Sequence, residues 1–133
     1  ISYYASKVSA VPEVRRFLLE TQRNMAKNSS ILMDGRDIGT VILPDAPVKI
    51  FLTASAQSRA ERRYKELIEK GQQVTMDGIL HDINERDRQD MTRAVAPLKQ
   101  ADDAVLLDTS SLTLEESIAA VLRIIREKTE EKA

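Results

Sequence analysis

The residues best suited to chemistry stand together in the stretch Met33–Asp37, M-D-G-R-D, directly after a short apolar run. Asp34 has the position of an aspartate that ends a buried strand and holds Mg²⁺ or its water shell. Gly35 would allow close backbone approach, Arg36 would meet a phosphate, and Asp37 would accept hydrogen bonds from an amine or a hydroxyl. A turn with a local Asp–Arg pair fits the same residues, so the motif alone does not decide between a ligand site and a turn.

Three arginines further along the chain have helical spacing. Arg59, Arg62 and Arg63 stand at i, i+3 and i+4, which places them on one face of a helix. Like charges at this spacing repel one another. The group therefore requires either a bound anion or acidic residues from elsewhere in the fold.

A mixed group follows, in which Arg86, Asp90 and Arg93 have i, i+4 and i+7 spacing. If one helix carries all three, two guanidinium groups flank a carboxylate, an arrangement suited to a phosphate and a sugar hydroxyl. A surface cluster whose charges satisfy one another is the alternative interpretation.

The composition narrows the class of protein. The 133 residues are 42% hydrophobic and 31% charged, with a formal net charge of −1, as is ordinary for a soluble domain with its own core. No apolar run is long enough to cross a bilayer, and the absence of cysteine excludes disulfides and thiolate metal sites. Ten of the twelve arginines fall between Arg15 and Arg93. An arginine-rich middle in a nearly neutral chain favours a compact anionic ligand over nucleic acid or an anionic membrane.

The elements that must position these residues follow from the apolar pattern. Residues 1–27 are predicted to be helical, with a joint at Pro12, which suits the first turn of a helix. Short apolar runs at Ile31–Met33, Val48–Leu52 and Ala104–Leu107 are typical of strands buried in a parallel sheet. The alternation of strands and helices predicts an α/β domain with a mostly parallel sheet flanked by helices.

The polar middle of the chain is predicted to form two helices, over 55–70 and from about 76 to 88, followed by an irregular stretch over 87–97. This insertion shows few core residues, so we expect it to project from the sheet as a mobile flap. Thr113 and Glu116 form a capping-box pattern that opens a final helix.

Taken together, these stretches resemble the bacterial cytidylate kinases. Five motifs match in order and spacing: SKVSAVPEVR, MDGRDIGTVILPDAPVKIFL, SRAERR, ERDRQDMTRAVAPL and AVLLDTSSL. The resemblance implies a P-loop nucleoside monophosphate kinase fold with a small helical lid. It also implies a cytoplasmic enzyme, monomeric at full length, that transfers the γ-phosphoryl group of ATP to CMP or dCMP with Mg²⁺.

The resemblance divides the chain, as one partial domain, into three parts. Residues 1–54 correspond to the core with the acceptor-base contacts, residues 55–97 to the lid and the arginine-rich segment after it, and residues 98–133 to the last core strand and the final helix.

On the acceptor side, Ser6, Arg15 and Asp37 match the family residues that recognise the cytosine ring. A hydroxyl, a guanidinium and a carboxylate are suitable partners for its carbonyl, ring nitrogen and exocyclic amine. Arg36 matches an arginine on the CMP phosphate, and Asp90 matches the ribose contact. The substrate-binding set implied is Ser6, Arg15, Arg36, Asp37, Arg86, Asp90 and Arg93.

On the donor side, Arg59 and Arg63 match lid arginines that close over ATP, with Arg62 close by. Asp34 resembles the acid that reaches Mg²⁺ through water in related kinases. Phosphoryl transfer requires alignment and neutralisation of charge more than it requires a side-chain nucleophile, and arginines supply both. The residues expected to act on the transferred group are Arg63, Arg86 and Arg93.

One part of the family pattern is missing, because the sequence contains no G-x-x-x-x-G-K-[ST] motif. In the family this P-loop precedes the residue that matches Ile1, and its strand lies between those matched by Ile31–Met33 and Val48–Leu52. We therefore expect the chain to be the C-terminal part of such an enzyme. It would need an N-terminal P-loop part, and alone it would have negligible activity and poor stability.

Two other interpretations stay open. The chain could be a non-catalytic nucleotide-binding module that keeps the CMP contacts and binds CMP with little dependence on ATP. An arginine-rich nucleic-acid binder is less favoured, since there are only five aromatic residues and the net charge is near zero. The single histidine, His81, is predicted to be a surface residue.

Overall fold

The computed structural model describes Val8 and residues 11–130, so Ser6 and most of the predicted helical stretch before Pro12 lie outside the described residues. In chain order the elements are helix α1 (Pro12–Asn28), a π-helical turn (Ile38–Ile42), strand β1 (Ile50–Thr53), helices α2 (Ala56–Glu69) and α3 (Met76–Thr92), strand β2 (Val105–Asp108) and helix α4 (Leu114–Glu130). The mixture of helices with a parallel sheet confirms the predicted α/β class.

The sheet consists of β1 and β2, which pair in parallel with Ile50 opposite Val105 and Thr53 opposite Asp108. These strands confirm two of the three predicted ones, displaced by one or two residues. Parallel neighbours require a long crossover connection, and α2 and α3 together provide it.

The third predicted strand, Ile31–Met33, is not one: these residues have no regular secondary structure, and Leu32 is 91% exposed. A strand forms only where its backbone N–H and C=O groups meet those of a neighbouring strand. Among the described residues no strand lies beside this segment, which explains why its apolar composition alone was misleading.

Local capping fixes several helix ends where the sequence predicts them. The Ser55 hydroxyl accepts a hydrogen bond from the Ser58 N–H at 3.1 Å and opens α2. Gly71, with a φ of +72°, follows its end. The Thr113–Glu116 capping box is confirmed, since the Glu116 N–H donates to Thr113 Oγ1 at 3.2 Å and the Thr113 N–H donates to Glu116 Oε2 at 2.8 Å.

Helix α3 is longer than predicted and ends at Thr92, so the expectation of irregular structure from residue 87 is wrong for its first six residues. The longer helix carries Arg86 and Asp90 on one element and leaves Arg93 as the residue that caps it.

The two lid helices, α2 and α3, contain a small core of their own. Ala60, Leu67 and Ile79 are buried there, with Ala60 fully inaccessible. The expectation that this insertion has few core residues is therefore wrong. The apolar residues of each helix lie on one face and are separated in sequence by charged residues. They form a core only when the two helices pack against each other.

We expect Leu67→Ala to destabilise this helix pair by about 2–4 kcal/mol, because it removes a buried side chain and leaves a cavity. Urea unfolding followed by circular dichroism measures the change. Ile68→Ala is the matched control, since the neighbouring Ile68 is 46% exposed and its loss should have little effect. Equal losses in the two variants would show that the helices do not pack as described.

A large apolar groove runs along the outer edge of β1. Its volume is about 910 Å³, and it lies between the segment Ser29–Met33, the connection Ile42–Val48 and the inward side of α4, from which Val121 and Ile125 contribute. Within the described residues fifteen large apolar side chains are exposed, among them Leu52 of β1 and Leu106 of β2. The described part of the chain leaves the groove open and leaves these two strand residues exposed.

None of the described helices combines the length and the apolar character that a membrane-spanning segment needs.

Candidate active site

A buried ion pair joins α1 to the loop before the π-helical turn. Arg15 Nη2 donates to Asp37 Oδ2, and the side chain of Asp37 is 9% exposed. The Asp37 carbonyl accepts from the N–H groups of Val41 at 2.9 Å and Ile42 at 3.2 Å. Asp37 is thus fixed through both its side chain and its backbone, in a type of turn that occurs frequently at functional sites.

A second ion pair connects the same loop to α3. Arg36 Nε donates to Asp90 Oδ2 at 3.0 Å, and the side chain of Asp90 is 13% exposed. This bond uses only Nε, and no hydrogen bond within the described residues engages the two Nη groups of Arg36. The terminal fork of this arginine is therefore oriented and available for an anion.

Arg93 is oriented in a similar way by the loop that follows α3. Its Nε donates to the Ala96 carbonyl at 2.6 Å, and the Leu98 N–H donates to the Asp90 carbonyl at 2.7 Å. Ala96 has a φ of +48°, a left-handed conformation that an alanine adopts only under constraint. The strained loop folds back on the end of α3, and no hydrogen bond from the part of the chain that the structure describes engages the Nη groups of Arg93, which can meet a ligand.

Two ion pairs thus join four of the predicted acceptor residues, from α1, the loop before the π-helical turn and α3, and a fifth stands just after Asp90 at the end of α3. They are Arg15, Arg36, Asp37, Asp90 and Arg93. The sixth, Arg86, is exposed on α3, one turn before Asp90. Ser6 lies outside the described residues.

One of the lid arginines, Arg59, is paired with an acid from another helix. Arg59 makes a two-pronged contact with Asp87 of α3, with Nη1 to Oδ1 at 2.9 Å, and its Nε donates to the Ala54 carbonyl at 3.0 Å. The hydrogen bond with Asp87 raises the pKa of Arg59. The sequence predicted that either a bound anion or an acidic residue offsets the repulsion among the three arginines. For Arg59 the structure shows an acidic residue, Asp87.

The other two lid arginines, Arg62 and Arg63, contact different parts of the chain. Arg62 Nη2 donates to the Thr109 carbonyl and contacts the Leu112 carbonyl at 3.4 Å, so it ties α2 to the turn after β2. Arg63 pairs with Glu66 at 2.7 Å on the exposed surface. Hydrogen bonds from Lys70, which has the larger effect, and from Arg63 lower the pKa of Glu66. Exposed pairs of this kind contribute little and exchange readily for another anion.

Asp34 is exposed and forms no ion pair with another residue of the described ranges. Within these ranges no three acids or histidines cluster as a complete metal site. A single carboxylate nevertheless fits Mg²⁺, since this ion keeps several waters and is commonly held by one or two carboxylates together with substrate phosphates. The donor set therefore fits a metal that arrives with a nucleotide.

Two residues whose side chains fix local structure by hydrogen bonds, Arg23 and Asp108, were not identified from the sequence. Arg23 of α1 donates to backbone carbonyls of the π-helical turn. Its spacing of eight residues from Arg15 places both on about the same helix face, a signal that could have been used. At the end of β2, Asp108 accepts hydrogen bonds from the hydroxyl and the N–H of Ser110, which lower its pKa.

His81 is exposed, as predicted.

Comparison with known proteins identifies the family to which the chain is similar. The family model for cytidylate kinase matches residues 1–127. Curated cytidylate kinases from Thermosipho melanesiensis, Carboxydothermus hydrogenoformans and Lactococcus lactis are 56%, 48% and 51% identical over 128, 130 and 126 residues. These alignments cover 96%, 98% and 95% of this chain but only 59%, 59% and 56% of the relatives, so the chain spans little more than half of their length. The chain belongs to the cytidylate kinase family.

Proposed function

We propose that this chain carries the acceptor side of a kinase that transfers the γ-phosphoryl group of ATP to CMP or dCMP, giving CDP or dCDP. The observation that carries the proposal is the pair of ion pairs Arg15–Asp37 and Arg36–Asp90. They fix Arg36 and Asp37, consecutive residues of one loop, and this supports assigning Asp37 to the base and Arg36 to the phosphate. The names of the relatives support the same substrate class.

The Arg15–Asp37 pair has the right chemistry to select cytosine. The carboxylate accepts from the exocyclic amine, and the guanidinium donates to the ring nitrogen and the carbonyl. Uracil carries an oxygen in place of the amine and a hydrogen on the ring nitrogen, so both contacts become repulsive. Selection therefore combines attraction for one base with rejection of the other. Ser6 is proposed as a further contact to the ring.

The second pair serves the sugar and the phosphate. Asp90 accepts a hydrogen bond from a ribose hydroxyl, while Arg36 and Arg93 present their terminal nitrogens to the CMP phosphate. During transfer the bond between the γ-phosphorus and the bridging oxygen of ATP breaks, and a CMP phosphate oxygen forms the new bond. Arg63, Arg86 and Arg93 stabilise the charge on the transferred group.

The donor side is proposed to use the lid. Arg59 and Arg63 reach the ATP phosphates when the lid closes, with Arg62 holding α2 to the turn after β2. Asp34 would hold Mg²⁺, and the metal would supply neutralisation of charge at the phosphates. Closure also excludes water, which would otherwise accept the phosphoryl group.

The P-loop is proposed to come from an additional N-terminal part of the enzyme. The apolar groove beside β1 supports this, because an open strand edge and an uncovered apolar surface suit a further parallel strand. A strand placed there would also give Ile31–Met33 the neighbour that the described residues lack. We propose that the complete enzyme is a cytoplasmic monomer whose ligands are nucleotides rather than nucleic acids or membranes.

Equilibrium titration tests the acceptor site. The sample is this chain joined at Ile1 to the N-terminal part of the Thermosipho melanesiensis relative, hereafter the complemented chain. CMP is expected to bind more tightly than UMP or AMP, and a non-hydrolysable ATP analogue should tighten CMP binding. Equal affinity for the three nucleotides would contradict the proposal. Selective CMP binding without turnover of ATP would instead favour the non-catalytic module.

A further inference from the structure

Helix α1 holds the π-helical turn at both of its ends. At the start of the turn, Arg15 binds the Asp37 carboxylate. At its end, Arg23 Nε donates to the Ile42 carbonyl at 3.0 Å and Arg23 Nη2 donates to the Val41 carbonyl at 2.8 Å. Carbonyl groups at the end of a helical turn lack the next turn as a partner, and a guanidinium there satisfies them and complements the local dipole.

The backbone of the turn connects these two anchors. The N–H groups of Val41 and Ile42 donate to the Asp37 carbonyl, and the Leu43 N–H donates to the Ile38 carbonyl at 2.7 Å. Of the two peptide units that Arg23 holds, the Val41–Ile42 unit is therefore bonded directly to Asp37, whose carboxylate meets Arg15, and the Ile42–Leu43 unit is bonded to the next residue, Ile38. A shift of the Val41–Ile42 end moves Asp37 as well, since five residues of a closed turn have little freedom to absorb it.

We propose that Arg23 is a positioning residue for selection of the acceptor base. It fixes the far end of the π-helical turn and thereby sets the position of the Asp37 carboxylate that distinguishes cytosine from uracil. The proposal rests on the function proposed above, and it assigns Arg23 a role without contact to substrate.

The test compares Arg23→Met, Arg23→Lys and the control Arg16→Met in the complemented chain. Arg16 lies on the same helix, is exposed and makes no hydrogen bond within the described residues. For Arg23→Met, the ratio of kcat/KM for CMP to that for UMP should fall about tenfold, because the charged hydrogen bonds that hold the turn are lost. KM for CMP should rise while KM for ATP stays constant. Arg23→Lys should recover part of the selectivity, since it keeps the charge but has no fork.

A second readout does not depend on activity. Hydrogen exchange at the amides of Val41, Ile42 and Leu43 in the complemented chain should accelerate about tenfold in Arg23→Met and remain unchanged in Arg16→Met. If Arg23→Met does not fold, Arg23→Lys carries both measurements with a smaller expected change.

The outcomes separate the two proposals. Unchanged exchange would overturn the role of Arg23, and so would faster exchange with unchanged base selectivity, which leaves Arg23 a structural role only. A complemented chain with the native Arg23 that does not transfer phosphoryl to CMP would overturn the proposed function. The exchange data would then still decide whether Arg23 fixes the turn.

Discussion

Replacing Asp37 with alanine is expected to lower kcat/KM for CMP by roughly thirty-fold to several thousand-fold, because truncating one partner of a hydrogen-bonded charge pair in a binding site costs about 2–5 kcal/mol. The change leaves the Arg15 guanidinium, whose side chain is 21% exposed, without its carboxylate. It also removes the group proposed to accept from the cytosine amine, so the preference for CMP over UMP should shrink. Steady-state kinetics of the complemented chain with both acceptors measure these effects.

Two further variants control this result. Asp102→Ala removes an exposed aspartate and should change neither selectivity nor stability. Asp37→Asn keeps the shape of the side chain but replaces a carboxylate, which only accepts hydrogen bonds, with an amide that can also donate one. The amide can donate to the uracil carbonyl, so the preference for CMP over UMP should fall. A full preference for CMP in Asp37→Ala would remove this residue from the base site.

Replacing Arg93 with methionine is expected to reduce kcat by about 10²–10³-fold, the usual effect of losing one preorganised donor to a transition-state charge. The stem of the side chain is kept, while the fork oriented by the Ala96 carbonyl is lost. A combined measurement of kcat and KM separates this effect from weaker CMP binding, because a contact made mainly in the transition state lowers kcat.

Arg88→Met is the matched control for Arg93. Arg88 lies on α3, and its side chain is 64% exposed and paired with Glu85 at 3.0 Å, away from the loop that orients Arg93. Its replacement should leave kcat almost unchanged. Similar losses in the two variants would indicate a general effect of charge and would contradict a specific role for Arg93.

Local signals predicted much of the fold. Ser55, Gly71 and the Thr113–Glu116 box act within one helical turn, so their effect is visible in the sequence and is the same in the structure. The segment Ile31–Met33 shows the opposite case. Its apolar residues match a strand pattern, but strand formation depends on a neighbour that local sequence does not specify. The π-helical turn was missed for a related reason, since the contacts of Arg23 that hold it come from another element.

In the site, too, local spacing predicted some features and tertiary contacts determined others. Spacing identified Arg86, Asp90 and Arg93 as a group, and the resemblance assigned them to the acceptor. Spacing could not show that Asp90 pairs with Arg36, which lies 54 residues away, because that contact exists only after α3 packs against the loop. For Arg59, spacing predicted a repulsion without identifying Asp87 as the acid that offsets it. Tertiary packing decided each of these partners.

The measurement that tests the account most directly is the transfer of labelled γ-phosphoryl from ATP to nucleoside monophosphates. It compares the 133-residue chain with the complemented chain at equal concentration. We expect labelled CDP from the complemented chain, more from CMP than from UMP or AMP, and none above background from the 133 residues alone. Equal transfer by the 133-residue chain, or a complemented chain that prefers AMP or UMP, would contradict the assignment of the acceptor site and of the missing P-loop.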